Sequence, residues 1–203
     1  MSKVRLAINV FVSYVTLYAK KVTSTGLHFK GIVIKGKKVK IAIGKNGRII
    51  LDKRVKLDSG CELSSNNEIE IGMGTEIGCG TALVATKSGI IHIGENSFLN
   101  RNCTIVSCES ISIGSGTAIG YNVVILDHDH YYVKEGKQPW NDIKTAPVVI
   151  GNNVWIGANV TILAGTKIGD NAVIAAGSII KGEVSGSTLV LQKRKTEYRE
   201  IQS

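Results

Sequence analysis

An aliphatic residue returns at six-residue intervals through most of this chain. Ile113-Gly-Ser-Gly-Thr-Ala is followed by Ile119-Gly-Tyr-Asn-Val-Val and Ile125, and after a gap by Ile150-Gly-Asn-Asn-Val-Trp and Ile156-Gly-Ala-Asn-Val-Thr. The series continues through Ile162, Ile168, Ile174 and Ile180, and earlier sets are Leu57 and Leu63, then Ile71, Ile77 and Leu83, then Ile93, Leu99 and Ile105. The aliphatic is usually followed by Gly or Ala, then two free positions and a small residue. Such a fixed short period is the mark of a solenoid, in which each repeat buries its apolar face only against its neighbours.

Three hexads make one three-sided turn of about eighteen residues. The first position must point inward and stack on its equivalents above and below. The adjacent Gly is expected to serve the corners, where a left-handed backbone is cheap only for Gly or Asn. The steps from Ile71 to Ile93 and from Ile93 to Ile113 are longer than eighteen, which predicts small bulges at corners. The small fifth position also faces the narrow interior, and Cys103 falls there as core filler. The pattern predicts an all-β protein, a parallel β-helix. Crossovers between parallel strands are generally right-handed, so elementary chirality alone predicts a right-handed coil.

The rhythm stops between Ile125 and Ile150. This stretch, about residues 127–148, must project from a corner. It carries Asp127, His128, Asp129, His130, Tyr131, Tyr132 and Trp140. Titratable groups on a loop held by a rigid scaffold are candidates for chemistry.

Composition adds the following. Twenty-three glycines against two prolines fit tight corners rather than disordered linkers. The four cysteines show no CxxC spacing, and no cleavable leader pattern is visible, so reduced thiols and a cytoplasmic protein are expected. The apolar run Val4 to Ala19 is short for a membrane span. It is expected to pack on its own domain, with a peripheral membrane helix as the other reading. Net charge is +9, yet residues 1–56 alone hold fourteen Lys/Arg against Asp52. No recognition helix or aromatic-studded RNA motif accompanies the basic run Lys30 to Lys40, so nucleic acid is not expected. A polyanion is the partner class this charge suggests.

From Pro147 to Ile180, and more loosely from Ile71, the chain resembles the hexapeptide-repeat acyltransferases. It is nearest to the sugar O-acetyltransferases of galactoside, maltose, nodulation-factor, capsule and O-antigen type. The resemblance implies a left-handed β-helix, which is adopted here against the generic rule, and a homotrimer with active sites between subunits. It implies acetyl-CoA as co-substrate, no metal, and direct acetyl transfer to a sugar hydroxyl. Relatives carry a histidine at the sixth place of the hexad entering the loop, which counted from Ile125 is His130. They also carry an Asn-x-Asn pair thirty residues earlier, where Asn100-Arg-Asn102 stands. His130 is then a general base for a poorly nucleophilic hydroxyl, with Asp127 or Asp129 holding its other nitrogen and Asn100 contacting the acceptor hydroxyl or the oxyanion. By the same resemblance Trp155, Ala158 and Ala176 line the pantetheine arm, Lys181 also binds the donor, and Lys193 and Arg194 are set for its phosphates. The tail SGSTLVLQKRK departs from the galactoside type.

The domain reading is a basic segment over 1–56, an acyltransferase β-helix over 57–182 and a basic tail over 183–203. Other functions compatible with this coil are N-acetylation of a nucleotide-linked amino sugar, a zinc hydratase of the γ-carbonic anhydrase kind using His92 and His128, and a non-catalytic scaffold. The acceptor sugar is not legible, although an acidic cell-surface polysaccharide would suit the basic first quarter.

Overall fold

In a computed structural model, residues 11–13, 15–20, 24–133, 135–193 and 197–199 are described. Short parallel strands from Leu27 to Val190 stack into three flat sheets that form the faces of a prism. Face A and face B each hold eight strands, face C holds seven, and a separate two-stranded ribbon stands outside the coil. The architecture is the parallel β-solenoid of about eight turns that the repeat demanded, consistent with the left-handed β-helix. Among the described residues helix is confined to 11–13 and 15–20, and no helix is long and apolar enough to cross a membrane.

The inward columns follow the hexad. On face A, Leu51, Ile71, Ile93, Ile113, Ile150 and Ile168 lie in register. Face B stacks Leu57, Ile77, Leu99, Ile119, Ile156 and Ile174. Face C stacks Ile41, Leu63, Leu83, Ile105, Ile125, Ile162 and Ile180. Nearly all of these side chains are fully buried, each contributing about 1.5–3 kcal/mol of hydrophobic stabilisation. Cys103 is buried among them, as its fifth position required.

The long steps have one location. Every step from face A to face B, and from B to C, is six residues. Only the step from C back to A varies: Ile41 to Leu51, Leu63 to Ile71, Leu83 to Ile93 and Ile105 to Ile113 all exceed six. The excursion from Ile125 to Ile150 leaves by this same edge. It is an enlarged form of a bulge that the preceding coils already make.

The role expected for the glycine after each aliphatic is corrected. Left-handed φ values occur two residues later, at Asn122 (55°), Asn159 (56°) and Gly116 (68°) for example. The second-position glycine is required by close approach instead. A Cβ on Gly120 would sit 2.7 Å from the Ala158 nitrogen, and one on Gly157 2.6 Å from the Ala176 nitrogen, both in the next coil. The coil begins at Leu27, inside the basic first quarter, and its last paired strand, Leu189–Val190, runs into the segment assigned to the tail.

Gly157→Ala should therefore cost about 1–3 kcal/mol, since backbone cannot move aside as a side chain can. Thermal melting measures it, and a midpoint shifted by less than about one degree contradicts the close-approach explanation. Burial also raises the Cys61 thiol to about 11 and the Cys103 thiol above its ordinary value. Both stay protonated at pH 8, so a chromogenic disulfide reagent should reach half-buried Cys79 well before them in native protein and reach all three once it is unfolded.

Candidate active site

Asp127 roots the projecting excursion. It follows Ile125 by two residues, so the strand alternation turns it inward, and it is fully buried. In the coil below, Ser107 Oγ donates to its carboxylate at 2.7 Å, and the backbone N–H groups of Cys108 and Glu109 donate at 2.8 and 2.9 Å. A carboxylate with three such donors is stable without water, and each bond to the charge is worth about 1.5–3 kcal/mol. The Ala146 N–H donates to the Asp127 carbonyl at 2.8 Å, closing the neck where the chain returns. The Gly165 N–H donates to the Ala146 carbonyl and ties the neck to the coil above.

Beyond the neck the chain forms an antiparallel ribbon, His128–His130 against Ile143–Thr145. Because side chains alternate along a strand, the two histidines share one side of it, with ring centroids 6.4 Å apart. His128 is mostly buried, and its Nδ1 lies 3.3 Å from Asp127 Oδ1. His130 is exposed, and its Nδ1 lies 2.9 Å from the Trp140 carbonyl oxygen. That oxygen only accepts, so Nδ1 carries the proton and Nε2 is left as a free acceptor. Asp129 accepts the His130 backbone N–H at 2.9 Å and stands 3.9 Å from the Lys144 ammonium.

The orienting contacts therefore differ from those counted in sequence. Asp127 meets His128, Asp129 meets the His130 backbone, and the His130 ring is turned by a main-chain oxygen. A cavity of about 390 Å³ opens beside the neck, lined among others by His128, Asp129, Lys144, Ala146, Leu163 and Lys181. Lys144, on the returning strand, was not singled out in sequence. Its register opposite Asp129 depends on a ribbon that no hexad announces.

A second set of expected residues lies along a different edge. Asn100, Ala158 and Ala176 all occupy corners between face B and face C, on three different coils. Trp155 projects from face B just before that edge and is 62% exposed. Lys181 instead sits at the C-to-A edge with the ribbon. Lys193 is exposed beyond the last strand, and Arg194 lies outside the described residues. One chain thus does not bring Asn100 and the histidines together.

His92 stands exposed on face A, its Nδ1 3.5 Å from a Glu70 carboxylate oxygen. Among the described residues Cys108, Asp127 and His128 do bring ligand-type atoms within 4.8 Å of one another. Hydrogen bonding accounts for that cluster, since both Asp127 oxygens already accept from the donors named above.

Residues 147–182 match the family model described as bacterial transferase hexapeptide (six repeats), and residues 90–127 match hexapeptide repeat of succinyl-transferase. Galactoside O-acetyltransferase of Escherichia coli (strain K12) is 58% identical over 38 residues, 19% of each chain. WbbJ of the same organism, provisionally named a lipopolysaccharide biosynthesis O-acetyl transferase, is 34% identical over 76 residues, 34% of this chain and 39% of WbbJ. The chain thus spans about two fifths or less of the length of these curated relatives. The solved polySia specific acetyltransferase NeuO shares the fold, with a TM-score of 0.69 at 24% identity over 81% of this chain and 77% of that one.

Replacing Asp127 by Ala should strand the Cys108 and Glu109 N–H groups and cost about 2–5 kcal/mol. Denaturant melts measure the loss, and hydrogen exchange should quicken first at Cys108, Glu109 and Ala146. Uniform quickening over the whole coil, or none, would contradict the role of Asp127 as the anchor of the neck.

Proposed function

We propose that this chain, which carries hexapeptide-repeat transferase domains, is an acetyl-CoA-dependent O-acetyltransferase acting on a sugar hydroxyl with a histidine base. The observation that carries the reading is the division of the expected residues between two edges of the prism: base on one, donor groove and Asn100 on the other. A site of this kind is complete only where the ribbon of one subunit meets the B-to-C edge of the next. The homotrimer implied by the resemblance would supply that meeting.

His130 is the proposed base. Its Nδ1–H is committed to the Trp140 carbonyl, so Nε2 can take the hydroxyl proton as the sugar oxygen attacks the thioester carbon. The tetrahedral oxyanion would accept a hydrogen bond from the neighbour's Asn100 amide. Collapse breaks the carbon–sulfur bond, and the imidazolium returns its proton to the departing sulfur. No acyl-enzyme is needed. The small side chains of Ala158 and Ala176 leave room along the edge for the pantetheine arm beside Trp155. Lys181 and Lys193, with Arg194, are proposed for the phosphates. His128, locked to Asp127, is a supporting residue and the rival base.

Sugar-polymer O-acetylation at the cell surface is the proposed setting, and the basic first quarter favours an acidic acceptor. Relatives named for galactoside and lipopolysaccharide chemistry support the sugar class. A solved relative, the VCA0836 acetyltransferase of Vibrio cholerae O1 biovar eltor, was determined with acetyl-CoA. It supports the donor, at 28% identity and a TM-score of 0.52 over 59% of this chain and 63% of that one.

Free-thiol release from acetyl-CoA tests the reading, with neutral glycans, acidic glycans and nucleotide-linked amino sugars as acceptors. Acidic glycans should be fastest, with an advantage that shrinks as salt screens the basic face. His130→Ala should lower turnover about 10²–10⁴-fold while acetyl-CoA binding is retained. Thiol release only with amino sugars would replace O- by N-acetylation. A loss seen with His128→Ala but not with His130→Ala would move the base two residues.

A further inference from the structure

The described part of the apolar run near the N-terminus packs on the coil by one side only. Residues 11–13 and 15–20 are helical and lie over the open first coil. Ser13, 1% exposed, donates to the Lys35 carbonyl at 3.1 Å and accepts the Lys35 N–H at 2.9 Å. Leu17, four residues on, is 3% exposed and joins the core. These two residues define the inner side of the helix.

The other side is unlike that of a capping element, which normally turns a polar face outward. Phe11, Val12, Val15 and Tyr18 are 68%, 52%, 48% and 52% exposed. Positions 11, 15 and 18 recur at helical spacing, so with Val12 they form one outward apolar strip.

The charge beside this strip is positive. Lys35 and Lys37 line the groove that also holds Val12 and Thr16. Several other cations of the first coils are matched: Lys30 with Asp52 and Glu70, Lys40 with Glu62, Arg48 with Glu68, Lys56 with Asp58 and Glu76. Lys35 and Lys37 in this groove, and Lys38 next to them in sequence, have no acidic partner among the described residues. Positive charge without an acidic partner therefore stands beside the outward apolar side chains.

We infer that this end of the prism is a docking surface for an anionic lipid bilayer. The helix would lie in the interface plane with Phe11, Val12, Val15 and Tyr18 among the acyl chains. The lysines would meet the headgroup phosphates, with their stems lying along the apolar boundary. A second copy of this chain is the poorer occupant. Two-fold pairing would bring two clusters of the same sign into one interface, and like charges repel. The surface is remote in sequence from the histidine ribbon, so the inference does not depend on the acetyl-transfer reading.

Co-sedimentation of the full chain with phosphatidylcholine vesicles, with and without about 30 mol% phosphatidylglycerol, tests it. Binding should be at least about tenfold tighter to the anionic vesicles and should weaken in about 0.5 M NaCl. Phe11→Ser with Val15→Ser should weaken it about tenfold or more without shifting the melting temperature, because both side chains are exposed. Lys37→Glu with Lys38→Glu should abolish the preference for anionic lipid. No vesicle binding, or equal binding to neutral vesicles, overturns the inference. So does a Phe11/Val15 variant that changes the oligomeric state in sedimentation velocity and leaves vesicle binding intact.

Discussion

The register between successive coils is the constraint on which everything else in this protein depends. Each inward aliphatic must lie over its equivalent one turn below, and a slip of a single residue would turn a whole column toward water. Where glycine stands beside the aliphatic, as at Gly120 and Gly157, the coils lie so close that a Cβ would meet backbone. Added length can therefore enter only where the columns do not fix it. In this chain that place is the C-to-A edge, which absorbs every insertion from Gly44–Gly47 to the histidine excursion.

Function follows from this geometry. A solenoid has no deep interior cleft, so chemistry has to be assembled on its edges. The buried Asp127 carboxylate converts a floppy insertion into a fixed neck by spanning one coil downward, while Ala146 and Gly165 complete the clamp above. Rigid support of that kind lets an exposed imidazole be held by nothing more than a main-chain oxygen. The same rigidity separates the ribbon from the B-to-C edge within one chain, which is why the proposed site calls for a second subunit.

Most of the coil was legible in sequence because six-residue spacing is a direct image of the register. From Leu57 to Ile180 the aliphatic columns read from that spacing all point inward, while Ile69, Ile91, Ile111 and Val148, buried two residues earlier on face A, were not read from it. The first coil was hidden because Phe29 and Lys35 occupy inward places and the following corner is lengthened. The reason for the second-position glycine was also misread, because a close approach to the next coil has no local signature while a left-handed corner does. At the site, the residues of the ribbon were found but their partnerships were not. Asp127 chooses His128 through donors eighteen to twenty residues earlier, and the Trp140 carbonyl that turns His130 belongs to the backbone, whose sequence identity is irrelevant.

The most direct test of a site shared between edges is complementation between two inactive chains. Asn100→Ala and His130→Ala proteins, each inert alone, would be unfolded together and refolded as mixed assemblies. Random mixing pairs an intact histidine with a neighbour's intact asparagine in about a quarter of sites. Recovery of about that fraction of wild-type acetyl transfer is the expected result. Mixed assemblies as inactive as their parents would contradict the shared site.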